Sequence, residues 1–273
     1  MDHPIGIFDS GYGGLTVLKS IREELSEYDY VYLGDNARAP YGTRSFETVY
    51  EYTLQAVEFL FDQGCELVIL ACNTASAKAL RNIQQKNLPF IDPEKRVLGV
   101  IRPSAEVVRS YSKTGHIGIL GTNGTVQSES YVIEIQKQAP DATVVQEACP
   151  LWVPLIENNI YDNEGGRYFV KHHLDELLKK DDQIDTIVLG CTHYPILKDI
   201  IEEMLPKHIK VLSQGEIVAA SLKDYLNRHD WMQNKCSKSG EIKFYTTEDA
   251  SLFESRAKTF LGTTIKAEKI KLK

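Results

Sequence analysis

Short runs of Val, Ile and Leu alternate along this chain with longer stretches in which apolar positions recur at helical spacing. The runs predict strands over 5–8, 30–34, 66–71, 97–101, 116–120, 143–147, 185–190 and 209–212. The periodic stretches predict helices over 13–25, 45–63, 74–86, 103–111, 126–138, 165–180, 195–204 and 216–228. Regular alternation of strand and helix is the signature of βα units around a mainly parallel sheet, so the fold class is α/β.

The pattern also repeats within the chain. IGIFDSGYGG from Ile5 matches IGILGTNGT from Ile117, and ELVILACNTASAKAL from Glu66 matches DTIVLGCTHYPILKD from Asp185. Two stretches that match in order at nearly one offset predict two similar lobes, each with a mainly parallel central sheet flanked by helices. Ligands of open α/β sheets bind beyond the carboxyl ends of the strands, and clefts between lobes are favoured places. The residues with chemistry to offer sit at such ends: Asp9 and Ser10 after the first run, Asp35 after the second and Cys72 after the third. Thr122, Glu157 and Cys191 take comparable places in the second half. If the lobes face each other, Cys72 and Cys191 confront one another through the cleft.

Composition narrows the partners. The 273 residues are 42% hydrophobic and 25% charged, the balance of a soluble globular protein of one large or two modest domains. Thirty-one basic against 38 acidic residues give a net charge of −7, with no basic stripe, which argues against nucleic acid. No basic leader with a cleavable apolar segment, and no apolar stretch long enough to cross a bilayer, is found, so the expectation is a cytoplasmic protein without a membrane partner. The five cysteines stand at 65, 72, 149, 191 and 236 without CxxC pairing, so free thiols in a reducing compartment are expected, with no metal site.

A buried free cysteine is usually a small core hydrophobe, and that is the ordinary reading of any one of these five. Cys72 and Cys191 differ because their contexts match. Cys72 ends LVILA and precedes Asn73, Thr74, Ala75 and Ser76, which can cap a helix; Cys191 ends TIVLG and precedes Thr192 and His193, with Pro195 where a first helical turn tolerates it. A thiol at a helix amino terminus feels the positive end of the dipole, which is expected to lower its pKa. Two thiols on opposite faces of a stereocentre suit racemisation, in which one base removes the α-proton and the other returns a proton from the far side. Asp9, Glu157 and His193 are placed to manage those protons. Turn chemistry for Asp9 and Asp35, a solvated surface for Glu157 and a cap for His193 are the ordinary alternatives. The loop Ser10 to Gly14 fails as a dinucleotide fingerprint because Thr16 stands where glycine is required. It is either a tight turn or a cradle of N–H groups for an anion. Pro40, Tyr41 and Gly42 form a second loop.

Several motifs in order resemble the glutamate racemase family: FDSGYGGLTVL, YLGDNARAPYG, ACNTAS around Cys72, VPLIE ending at Glu157, and LGCTHYP around Cys191. The resemblance runs from Ile5 to about Tyr225. It implies interconversion of L- and D-glutamate without pyridoxal phosphate, metal or other cofactor, supplying D-glutamate for peptidoglycan. It further implies that Cys72 takes the proton of D-glutamate and Cys191 that of L-glutamate. Asp9 would assist Cys72, and Glu157 and His193 would assist Cys191. The implied substrate contacts are Asp9, Ser10, Tyr41, Gly42, Asn73, Thr74, Thr122, Thr192 and His193, with Asn123 a weaker candidate. The implied lobes are residues 1–99 with 214–273, and 100–213; a homodimer is an expectation by analogy. Ile101, Arg102, Pro103 and Ser104 depart from the glutamate and glycine that the family often shows around this proline. No long amino-terminal extension is present, so regulation by a cell-wall nucleotide precursor is not expected.

Three alternatives remain open on the residues. An aspartate racemase differs by one substrate methylene, worth only about 1–3 kcal/mol of discrimination. A cysteine hydrolase with His193 as base leaves Cys72 unexplained. A two-lobed binding protein has no use for cleft thiols.

Overall fold

The computed structural model describes residues 3–273. It contains two separate parallel sheets with helices around them. The first holds β1 (Ile5–Asp9), β2 (Tyr30–Gly34), β3 (Leu67–Leu70) and β4 (Arg96–Gly99). The second holds β5 (His116–Gly121), β6 (Thr143–Ala148), β7 (Thr186–Gly190) and β8 (Lys210–Leu212). Two late strands, β9 (Ile242–Thr246) and β10 (Ala267–Lys269), extend the first sheet beyond β2.

The strand orders are β10-β9-β2-β1-β3-β4 and β6-β5-β7-β8. Setting β9 and β10 aside, the two orders are the same topology, with β1 equivalent to β5 and β3 to β7. The internal sequence match is therefore a structural repeat. In each sheet the chain moves from the first strand to one side and then crosses to the other. That reversal opens a crevice at the carboxyl ends of β1 and β3, and of β5 and β7, which is where ligands of such sheets bind.

Burial explains why β1, β2, β3 and β7 read so clearly in sequence. Every residue of these four strands is buried. A parallel sheet is covered on both faces, so its inner strands are apolar without alternation. Local signals set the helices. Ser45 caps Phe46–Asp62 by accepting from Thr48 N–H at 3.2 Å, and Asn163 caps Glu164–Lys180 through Gly166 N–H at 2.8 Å. Asp249 caps Ala250–Leu261 through Leu252 N–H at 2.9 Å, and Gly262 closes that helix at φ 80°.

Three helices differ from the expected spans. The stretch expected as one helix over 74–86 is broken into Asn73–Lys78, Leu80–Asn82, a π turn Ile83–Asn87 and Leu88–Ile91. The stretch 126–138 is two helices, Asn123–Gln127 and Ser130–Gln138, divided where Glu129 takes a positive φ of 53°. The stretch 195–204 begins with a 3-10 turn over Tyr194–Leu197. Periodicity registers which face is buried, and these breaks leave that face unchanged.

Asp29 secures the return of the carboxyl-terminal segment. Its Oδ1 accepts from Ser239 N–H at 2.8 Å, Ser239 O–H at 2.6 Å and Glu241 N–H at 2.9 Å, just before β9. Burial raises its pKa, but these hydrogen bonds outweigh burial and hold it at about 2. A folded-state pKa below the unfolded value of about 3.9 gives stability that is present above that value and lost as pH falls towards 2. Asp29→Asn is thus expected to lower Tm at pH 7, with the gap from the parent narrowing as the pH falls through 4 to 3. A gap that is constant with pH in thermal scans would contradict this role. Among the described residues no helix is long and apolar enough to cross a membrane.

Candidate active site

One cavity of about 160 Å³ lies where the carboxyl ends of the two sheets meet, lined by Cys72, Ser10 and Tyr41 from one side and Cys191, His193 and Glu157 from the other. On the rule that one water needs roughly 10–15 Å³ of such space, it has room for about 11 to 16 non-hydrogen atoms. Each thiol occupies the same place in its lobe, one or two residues past β3 or β7. Both are nearly buried, at 5% and 6% exposure.

Cys72 is the cap of the helix Asn73–Lys78, its Sγ accepting from Ala75 N–H at 3.4 Å, and Ser10 Oγ lies 3.3 Å from the same sulfur. These contacts favour the thiolate, as expected for a helix amino terminus. The expectation of a lowered pKa nevertheless fails. Burial, followed by the negative charge of Asp9, pushes the Cys72 thiol up to about 11. Burial also pushes Cys191 up, against N–H groups of His193 and Tyr194 and with the Cys72 charge adding to it. At neutral pH both sulfurs are therefore protonated. A cationic group entering between them would favour the thiolate, which links proton removal to occupancy.

A raised pKa delays thiolate formation to higher pH. The alkylation rate of Cys72 by iodoacetamide is expected to rise about tenfold per pH unit between pH 8.5 and 10, whereas an unperturbed thiol, half-ionised at about 8.5, gains only about twofold over that range. Peptide mapping identifies the adduct, and a rise of only about twofold up to pH 10 would contradict the burial effect.

Asp9 is wholly buried at the end of β1. Its Oδ2 accepts from Gly11 N–H at 2.9 Å, and its Oδ1 accepts from the Thr192 hydroxyl at 3.3 Å, beside Cys191. Burial raises its pKa, opposed by His193 and by the N–H groups of Gly14 and Gly11. Within the Ser10 to Gly14 loop the N–H groups of Gly11 and Gly14 thus serve the chain's own carboxylate. The loop glycines also give room. A side chain at Gly13 would come within 2.4 Å of His193 Nδ1 and of Thr192 Oγ1.

On the Cys191 side, His193 Nε2–H donates to Glu157 Oε1 at 3.0 Å, while the edge of the His193 ring meets Phe260 with centroids 5.2 Å apart. Glu157 is thus a partner of His193 and not a free surface carboxylate. Tyr41 is buried, and its hydroxyl donates to Asp35. Asp35 also accepts from Arg38 Nε at 2.6 Å and from the Thr247 hydroxyl at 2.8 Å, so its work is to hold the 39–43 loop. Gly42 abuts Thr122, where an added Cβ would lie 2.8 Å away, and the Thr122 and Thr74 hydroxyls are 2.9 Å apart. Those contacts join the two lobes at the cavity wall.

Ser10, Tyr41, Gly42, Asn73, Thr74, Thr122, Asn123, Thr192 and His193 all line this cavity, together with Cys72, Cys191 and Glu157. Asp9 alone among the expected site residues lies behind the wall. Cys149, Pro150, Val153 and Pro154 line it as well and were not anticipated. Val153 and Pro154 precede Glu157 by four and three residues, a spacing that shares one helix face, so the signal was available. Cys149 follows β6 as Cys72 follows β3, but it lacks the helix-capping context.

Comparison with known proteins finds relatives over nearly the whole chain. Residues 5–222 match the family model for Asp/Glu/hydantoin racemases. A glutamate racemase of Persephonella marina is 40% identical over 268 residues, covering 98% of this chain and 97% of its own. A glutamate racemase isoform of Bacillus anthracis superposes with a TM-score of 0.90 at 35% identity, over 99% of this chain and 98% of the other. The glutamate racemase of Francisella tularensis, solved in complex with D-glutamate, gives a TM-score of 0.88 at 33% identity, with the same two coverages of 99% and 98%.

Proposed function

The chain belongs to the Asp/Glu/hydantoin racemase family and is an amino-acid racemase, and from that premise we propose that it interconverts L- and D-glutamate with Cys72 and Cys191 as the two proton-transfer groups. The observation that carries the reading is the meeting of two equivalent thiols, one from each sheet, in a single cavity sized for a small amino acid.

With L-glutamate bound, Cys191 gives its thiol proton to the His193–Glu157 pair, and the substrate ammonium stabilises the thiolate that remains. That sulfur takes the α-proton; the C–H electron pair remains on the α-carbon and spreads into the carboxylate. The Cys72 thiol then delivers its proton to the other face, giving D-glutamate and a Cys72 thiolate. The reverse reaction exchanges the roles. Asp9 is the proton partner on the Cys72 side, supported by its charge coupling to that thiol. The His193–Glu157 pair serves Cys191. Tyr41, Gly42, Ser10, Asn73, Thr74, Thr122 and Thr192 surround the substrate's polar groups. We assign residues 1–99 with 214–273 to the Cys72 lobe and 100–213 to the Cys191 lobe, which the pairing of β9 with β2 supports. Likeness to glutamate racemases supports a supply of D-glutamate to peptidoglycan. Five free cysteines and a plain acidic surface charge favour a cytoplasmic setting.

The test is to follow the circular dichroism of L-glutamate with purified protein and nothing else added. The signal is expected to decay to that of a racemate. L-Aspartate in parallel should show a kcat/KM lower by about 10- to 200-fold, the worth of one methylene. An unchanged glutamate signal, or a preference for aspartate, would overturn the assignment.

A further inference from the structure

The side chain of Asn73, the residue after Cys72, belongs to a closed ring of hydrogen bonds with two residues distant in sequence. Asn73 Nδ2–H donates to Gln214 Oε1 at 2.6 Å, Gln214 Nε2–H donates to the Tyr131 hydroxyl at 2.6 Å, and that hydroxyl donates to Asn73 Oδ1 at 2.7 Å. All three residues are buried, with exposures of 2% for Asn73, 3% for Gln214 and 0% for Tyr131.

The sense of the ring is fixed from outside it. Gln214 Nε2 also faces the Val100 carbonyl at 3.1 Å and Ser104 Oγ at 3.0 Å. A backbone carbonyl only accepts, so the amide nitrogen of Gln214 must lie on that side and its oxygen on the side of Asn73. The oxygen in turn demands the Asn73 nitrogen, and Tyr131 completes the circuit. Turning either carboxamide over would set oxygen against oxygen, a costly arrangement for residues so deeply buried.

This leaves Asn73 with a defined remainder. Its oxygen is taken by Tyr131 and one Nδ2 hydrogen by Gln214, while the second Nδ2 hydrogen has no partner among the described residues. Asn73 lines the cavity. Resting on the amino-acid-binding reading of that cavity, we propose that Gln214 and Tyr131 are positioning residues. They lock the Asn73 carboxamide so that its free N–H is offered to a carboxylate oxygen of the bound amino acid.

A carboxylate is charged alike in both enantiomers before the α-proton leaves, so losing this contact weakens the binding of both; the charge that spreads into it afterwards adds a smaller loss in kcat. Gln214→Met and Tyr131→Phe are each expected to raise KM about tenfold for both L- and D-glutamate, with a smaller fall in kcat, the loss of one hydrogen bond to a charged group. Asn73→Ala should do the same. The deciding measurement is the double variant of Asn73→Ala with Tyr131→Phe. If the ring acts through Asn73, it is no worse than Asn73→Ala alone. Multiplied effects, a loss confined to kcat, or KM values within twofold of the parent in the ring variants would overturn the proposal. Tyr131→Phe keeps the aromatic packing, so it decides the matter even if Gln214→Met fails to fold. Failure of the parent protein to racemise glutamate would instead remove the functional reading beneath it.

Discussion

Cys72→Ala is expected to slow glutamate racemisation by at least about a thousandfold in both directions, roughly 4 kcal/mol of barrier, because each direction needs a base on one face and an acid on the other. Cys191→Ala should match it. The two variants differ in what survives. With Cys191 intact, Cys72→Ala can still remove the α-proton of L-glutamate and return a solvent deuteron to the same face, so slow washout without inversion is expected for the L enantiomer alone. Cys191→Ala should show the mirror behaviour, with washout from D-glutamate alone. Proton NMR of the α-position in deuterated solvent reads both. Washout of both enantiomers by either variant would mean that the faces are not divided between the sulfurs.

Gly13→Ala is expected to reduce kcat/KM about a hundredfold, the scale of loss that follows from misplacing reacting groups by about 1 Å. Gly13 has φ −59° and ψ −34°, a conformation open to any residue, so its glycine is required for space and not for backbone freedom. A methyl group there would fall 2.4 Å from both His193 Nδ1 and Thr192 Oγ1 and push them off the Cys191 side of the cavity. Gly262→Ala provides the contrast. Its φ is 80° with nothing within 4 Å of the added Cβ, so it should cost stability by about 1 kcal/mol while leaving kcat/KM intact. Kinetics and thermal unfolding of the two variants separate crowding at the site from strain in the backbone. Parent-like activity in Gly13→Ala would show that the loop yields.

The fold was legible where Val, Ile and Leu run together, most clearly in the fully buried β1, β2, β3 and β7. β1 to β8 declare themselves as apolar runs, and the internal match between Ile5 and Ile117, and between Cys72 and Cys191, corresponds to the repeated strand order of the two sheets. β10 escaped because it is a three-residue edge strand with Glu268 and Lys269 exposed, and β9, although paired on both sides, is only partly buried and mixes Lys243 and Tyr245 with its apolar residues. The cavity was legible residue by residue, since strand ends and the shared motifs point to it. The protonation of the thiols was not. A helix amino terminus favours the thiolate, but how far burial and the Asp9 carboxylate oppose it depends on packing that no local pattern encodes. The Asn73–Gln214–Tyr131 ring is likewise invisible in sequence, because it joins one residue from each of three remote helices.

The division of labour between the two sulfurs is tested most directly by a single pass of the parent protein over L-glutamate in deuterated water, with both enantiomers separated and weighed for α-deuterium at early times. The account predicts D-glutamate fully labelled from the first turnover while the remaining L-glutamate stays unlabelled. Label entering the remaining L-glutamate as fast as D-glutamate forms would mean that one base works both faces, and would contradict it.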